Sequence, residues 1–241
     1  MASIFKYIFL IIIAFKSIIA GPPFDTDDPE PVPFRHWEFY VASQYQYGSH
    51  TFDGTLPHVE VNYGPVKNVQ LHLLTGPGYA RDYSKKQYGY MIAELGAKYR
   101  FINTDNGFEV GIFPLLELPT TNKANLVGNR YMQVFLPVWI QKTWGKFTTY
   151  GGSGYWVNPG TNNKNWIFAG WEGQYDFSRV LTLGGEIFYQ TANTRDGNSD
   201  VAFKLGGFVN LNVENHILFS FGKSLRTEDD YSGYFGYQLT I

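Results

Sequence analysis

The 241-residue chain contains no cysteine, which excludes a disulfide scaffold, a thiolate metal site and a cysteine nucleophile. After residue 20 there is no long apolar run. The chain therefore cannot cross a membrane on a helix, which needs about 20 apolar residues. Basic residues are few and unclustered, with 19 Lys and Arg against 21 Asp and Glu; nothing here suits nucleic acid as a partner. Mean hydropathy is only −0.22.

The one sustained apolar run stands at the start. Lys6 precedes Ile8 to Phe15, and Ser17-Ile18-Ile19-Ala20 offers a small residue at the cut. Residues 1–20 thus read as a signal peptide, too short to anchor as a spanning helix. Cleavage after Ala20 removes Lys6 and Lys16, lowering the basic count from 19 to 17 against 21 acids, a net charge of −4.

Aromatic residues are abundant. They make up 18% of the chain, with 18 Tyr and 20 Phe beside 26 Gly. Rings of this kind suit strands at a lipid interface, where one end is apolar and the other wet. Without helices, the remaining way to span a bilayer is a closed β-barrel, which pairs every backbone group internally.

Residues 21–35 hold five prolines and the acids Asp25, Asp27, Asp28 and Glu30. Proline removes ladder donors, so this is an extended leader. Residues 36–241 then alternate with period two, the strand signature. Met91, Ala93, Leu95, Ala97, Tyr99 and Phe101 form one face, with Glu94, Gly96, Lys98 and Arg100 on the other. The same pattern recurs to Phe235, Tyr237, Leu239 and Ile241, giving about twelve strands. Short links at Gly64-Pro65, Asn103 to Asn106, Gly145-Lys146, Phe177-Ser178 and Val213-Glu214 alternate with longer ones. The longer links are Ser49 to Leu56, Gly76 to Lys85, Thr120 to Val127, Pro159 to Lys164, Asn193 to Ser199 and Ser224 to Tyr231. Tight periplasmic turns and long external loops mark outer-membrane barrels. The expected fold is all-β: a single closed antiparallel up-and-down transmembrane barrel in the outer membrane of a Gram-negative-type envelope.

Charges cannot face acyl chains, where Arg or Lys costs about 2–4 kcal/mol at the midplane. The expected lumen wall therefore carries Glu94, Lys98, Arg100, Glu109, Glu117, Glu172, Glu186 and Lys204, with rings from Tyr90, Phe113, Tyr131, Phe135, Trp139, Phe168 and Phe188. At the C-terminus Tyr234, Gly236, Leu239 and Ile241 resemble the signal read by the barrel-assembly machinery, which captures an exposed last strand by edge pairing. The usual pattern ends in Phe or Trp, so Ile241 departs from it.

Several stretches resemble the family of exported proteins labelled MetA-pathway of phenol degradation, also described as outer-membrane transporters. They are Gly21-Pro22-Pro23-Phe24 with Thr26-Asp27-Asp28-Pro29-Glu30-Pro31, His36-Trp37-Glu38, Glu117-Leu118-Pro119-Thr120, Thr149 to Trp156, and Leu218 to Lys223. The resemblance implies an outer-membrane barrel related to passive channels for hydrophobic compounds, and little chemistry.

Catalysis has little to stand on. Five histidines (36, 50, 58, 72, 216) are scattered, and Gly152-Ser153-Gly154 is a flexible strand segment without a nucleophile elbow. No catalytic, cofactor or metal residues are assigned. The leader has three readings: a solvated tether, an oxygen-ligand set for a hard cation without the turn glycine and distal Glu of a calcium loop, or a plug held at the barrel mouth by Lys98, Arg100 or Lys204. The expected function is passive passage of small, hydrophobic or aromatic, solutes. Its rivals are a non-conducting structural or surface-interaction barrel and, third, an outer-membrane hydrolase. Expected partners are outer-membrane lipid, the assembly machinery and small solutes.

Overall fold

The computed structural model describes residues 21–122, 127–227 and 229–241. The expected signal peptide lies outside them, as do residues 123–126 of the Thr120 to Val127 loop and residue 228 of the Ser224 to Tyr231 loop. Fourteen strand segments run in order: β1 (Trp37–Tyr47), β2 (Thr51–Thr55), β3 (His58–Val66), β4 (Val69–Asp82), β5 (Lys85–Asn103), β6 (Phe108–Ile112), β7 (Leu115–Glu117), β8 (Gln133–Trp144), β9 (Phe147–Val157), β10 (Trp166–Asp176), β11 (Leu181–Gln190), β12 (Asp200–Asn210), β13 (Asn215–Ser224) and β14 (Tyr231–Thr240). No helix occurs among the described residues.

These segments make twelve spans. β2 and β3 both lie between β1 and β4, broken at Leu56-Pro57, and β6 and β7 both lie between β5 and β8, broken at Phe113-Pro114. Proline has no N–H for the ladder, which weakens pairing at these two breaks. All pairings are antiparallel, and β1 pairs β14 from Glu38↔Thr240 to Tyr47↔Tyr231. That pairing closes the sheet and removes its edges, as the alternation of the sequence predicts.

The two faces of the wall are inverted relative to a water-soluble protein. Leu205 is 63% exposed whereas its neighbour Lys204 is 6%. Val41, Leu71, Leu95, Leu136, Ile167 and Ile187 are likewise exposed, while Glu60, Lys98, Glu172 and Glu186 are buried. An apolar belt of this extent needs lipid as its solvent. Rings border it. Near the short turns Trp37 stacks on Tyr63 at 4.2 Å and Tyr175 meets Phe177 at 5.1 Å; near the opposite end Tyr79 lies 4.7 Å from Tyr88 and Phe221 5.8 Å from Tyr231.

Two of the six expected long loops are strand instead. Thr51–Thr55 is β2, and β4 and β5 continue to a two-residue turn at Tyr83-Ser84. The glycines that suggested a loop serve close approach: a Cβ on Gly76 would lie 2.6 Å from the His58 Cα. β4 and β5, at 14 and 19 residues, exceed the roughly 9–11 that span a bilayer. Their sheet therefore extends beyond the membrane on the side away from the short turns.

Candidate functional site

The charged strand positions face the lumen. Lys98, Glu109, Glu172, Glu186 and Lys204 are buried, as is Trp139. Glu94 reaches His72, with its Oε1 3.1 Å from Nε2, and Glu117 accepts a hydrogen bond from Asn129. Tyr131 is placed differently. It lies in the loop before β8, under Arg130 and beside Gly160, because β8 begins only at Gln133. Tyr90 also leaves the expected face. The register shifts so that Gly76 pairs Ile92 while Pro77 pairs Tyr90, and the extra residue, Met91, turns Tyr90 outward.

The leader occupies the interior. Its chain enters beside β1 at the short-turn end, where the Arg35 N–H donates to the Gly64 carbonyl. Val32 N–H donates to Gln70 Oε1 at 2.9 Å, and Glu30 lies 3.7 Å from Arg100, which also meets Glu109 at 2.8 Å. Gln141 donates to Glu30 at 3.4 Å. Lys98 Nζ is 2.9 Å from Asp27 and 3.5 Å from Asp28. Deeper in, the N–H groups of Asp25 and Thr26 donate to the two oxygens of Glu186, each at 2.8 Å. Lys204 binds Asp25 at 2.6 Å, and Ser220 donates to the Pro23 carbonyl at 2.6 Å. Glu186, Lys204 and Ser220 stand near the middles of β11, β12 and β13. Residues 23–26 therefore sit about halfway up the barrel, well beyond the mouth where charge attraction alone suggested the leader would rest.

Glycine makes the seat. A Cβ on Gly170 would collide with the Thr26 hydroxyl, and one on Gly111 would lie 3.0 Å from the Pro29 Cβ. Thr26 and Asp28 are fully buried. Burial pushes the Asp28 carboxyl up to about 7 against the pull of Lys98, and pushes Glu30 up to about 8, with repulsion from Glu109 and Asp28 adding to it. Among the described residues no group of three or more His, Asp or Glu side chains is arranged to hold a metal ion.

The lumen is unevenly filled. On the β8 to β11 side, Phe135 stacks on Trp156 at 4.7 Å and Phe168 on Phe188 at 5.7 Å, with Trp139 edge-on to Phe168. The expected inward rings thus pack largely on one another. The opposite side, from β13 and β14 through β1 to β5, holds two cavities. The larger, about 640 Å³, reaches the short-turn mouth at Glu214 and Ile241. The smaller, about 290 Å³, lies toward Gln46 and Asp53 at the other end. Both are lined by Pro22, Phe24, Asp25, Glu60 and Leu74, so the leader tip stands between them.

Sequence reasoning missed the polar set on this open wall. His72 Nδ1 is 2.8 Å from Asn62 Oδ1, while Asn62 Nδ2 donates to Glu60 at 2.8 Å. Glu94 faces Nε2 on the other side of the ring, so the imidazole links β3 and β5 through one polar set. Nothing local in sequence joins Glu60 and Asn62 on β3 to His72 on β4 and Glu94 on β5.

No family model matches the chain, and no curated protein matches it in sequence. Solved structures do match. The COG4313 outer membrane channel from Pseudomonas putida F1 has a TM-score of 0.73 at 12% identity, covering 89% of this chain and 98% of that one. The NanC porin (0.59, 10% identity) and the KdgM porin in complex with disordered oligogalacturonate (0.57, 9%) each cover 83% of this chain and 98% of theirs. At these identities the likeness establishes a shared fold, a closed transmembrane β-barrel.

Proposed function

We propose that the chain is a passive outer-membrane channel for small solutes, obstructed at rest by its own leader. The observation that carries this reading is the pair of cavities on the open wall, parted by Pro22, Phe24 and Asp25. Displacing that tip joins them into one path. Glu38, Glu60 and Glu94 would keep water and cations in it, while Phe24, Leu74, Phe113 and Leu115 would contact apolar bodies. Asp25, Asp27, Asp28 and Glu30 act as the plug's anchors, and the fold shared with outer-membrane channels supports the location. In the same reading residues 1–20 export the chain, and Tyr234, Gly236, Leu239 and Ile241 present the last strand to the assembly machinery. The reading assigns no catalysis.

The test is current through purified protein in a planar bilayer. Small, flickering, resolvable steps are expected. A correctly inserted barrel that stays silent at every voltage and pH contradicts the channel and favours a structural barrel, for which the ion-paired lumen would be permanent filling.

A further inference from the structure

The outer face of the wall carries a cationic spot at the end away from the short turns. Along β4 the outward positions run from Leu71 and Leu73 to Pro77, Tyr79 and Arg81. The last three pair with Tyr90, Tyr88 and Lys86 of β5. Arg81 and Lys86 thus stand directly opposite each other, and like charges so placed destabilise a ladder. The next pair, Asp82 with Lys85, is of opposite sign and alternates to the other face. Among the described residues neither Arg81 nor Lys86 makes an ion pair. The spot calls for an anion from outside the chain.

Rings tie this anion to the membrane border. Tyr88 is 72% exposed and lies 4.7 Å from Tyr79, which lies 5.9 Å from Phe52. Phe52 pairs with Arg81 from β2, so the cations have rings beside and beneath them. Farther down, the same face becomes the exposed apolar belt of Leu71, Leu73 and Leu95. Arg81 and Lys86 stand two residues beyond Tyr79 and Tyr88. At about 3.3 Å per residue and a tilt near 45°, that is about 5 Å farther from the belt. Interfacial rings sit at head-group level, so the two cations reach the depth of lipid phosphates. Guanidinium and ammonium both donate charge-assisted hydrogen bonds to phosphate oxygens. Short turns at the opposite mouth mark this end as external, where the facing leaflet is phosphorylated glycolipid.

We propose that Arg81 and Lys86, backed by Phe52, Tyr79 and Tyr88, bind a phosphate of an outer-leaflet glycolipid. The proposal goes beyond the channel reading and takes from it only the outer-membrane location. Its test is native mass spectrometry of the full chain in neutral detergent, titrated with bisphosphorylated lipid A. Lipid A stripped of its phosphates, and inorganic phosphate alone, are the comparison probes. The phosphorylated lipid is expected to bind about tenfold or more tightly than the stripped one. Arg81→Gln and Lys86→Gln should each weaken its binding by roughly three- to tenfold, leaving the stripped lipid unchanged. A control carrying both Lys146→Gln and Arg179→Gln loses as much charge as the two together, but from the short turns. That control should bind lipid A as the unaltered chain does. Equal binding of the two lipids, unaffected variants, or an equal loss in the control overturns the site. Displacement of lipid A by millimolar inorganic phosphate would assign the spot to free phosphate and overturn the lipid. Should a variant fail to assemble, judged by loss of heat-modifiable migration on gels, the two lipids on the unaltered chain still decide. A silent barrel that prefers phosphorylated lipid A sinks the channel and keeps the site; a conducting barrel indifferent to those phosphates does the reverse.

Discussion

The two sides of the lumen solve the same packing problem in opposite ways. From β8 to β11 the interior is filled with packed rings, Phe135, Trp139, Trp156, Phe168 and Phe188. From β14 through β1 to β4 the inward residues are mostly polar or small, Leu74 and the Tyr40 and Tyr234 rings excepted, and cavities of about 640 and 290 Å³ lie among them. Both sides come from the same alternation of strand residues, so alternation alone does not make a path. What differs is side-chain size and where the leader is gripped. Glu186 on β11, Lys204 on β12, Lys98 and Arg100 on β5 and Gln141 on β8 hold it by their side chains, while β3 meets it at the mouth, where the Arg35 N–H donates to the Gly64 carbonyl. A barrel built this way has one flank packed with rings and another left open.

The contrast can be broken by substitution. Trp139→Ala on the filled side should lower barrel stability by about 3–5 kcal/mol, read as a lower temperature of heat-modifiability, with current per open channel little changed. Lys98→Met strips Asp27 and Asp28 of their cation. Removing one partner of a buried pair costs about 3–5 kcal/mol, here charged to leader docking, so open probability should rise while the barrel stays intact. If Lys98→Met leaves gating untouched, the grip is not electrostatic.

A change of pH sharpens the comparison with a smaller effect. The docked leader holds Asp28 near 7 and Glu30 near 8, both above ordinary carboxylate values. Raised acids favour docking at low pH; that stability is full below about pH 4 and is lost as pH rises through 7 to 8. Facing groups are Lys98 and Arg100 on β5, Glu109 on β6, Gln141 on β8, Glu172 on β10 and, within the leader, Asp27. Open probability should therefore climb with pH, by about tenfold per unit for each group titrating. A fall with pH would show the Lys98 attraction outweighing burial. Smallest is Ile241→Lys. This exposed residue follows the last strand at the short-turn mouth, its backbone hydrogen-bonded to Trp37, near the interface where a lysine costs about 0–1 kcal/mol. A drop in outer-membrane yield larger than that, with normal stability of what inserts, would assign the loss to assembly.

Much of the wall was legible in sequence, because Glu186 beside Ile187 and Lys204 beside Leu205 can satisfy lipid and lumen in only one way. Twelve spans and the closure of the first onto the last followed from it. Gly76-Pro77-Gly78 misled, since the residues that make a loop also make a bulge and a close strand approach. The same bulge carried Tyr90 to the outer face, a slip that parity counting cannot detect. For the leader, charge left a plug held by Lys98, Arg100 or Lys204 as one of three readings. Its depth was hidden, because it depends on Gly170 and Gly111 leaving space for Thr26 and Pro29. The contact of His58 with Tyr234 was hidden for a related reason: they meet across Ala42 only once three strands are in register.

The central claim is that the leader, not the wall, closes the path. Its most direct measurement is the single-channel current of a chain lacking residues 21–33, compared with the full chain and then titrated with a synthetic peptide of those residues. The account predicts a current several times larger on deletion, with the barrel still heat-modifiable, and block on adding the peptide from the side of the short turns alone. An intact deleted barrel with unchanged current would contradict it.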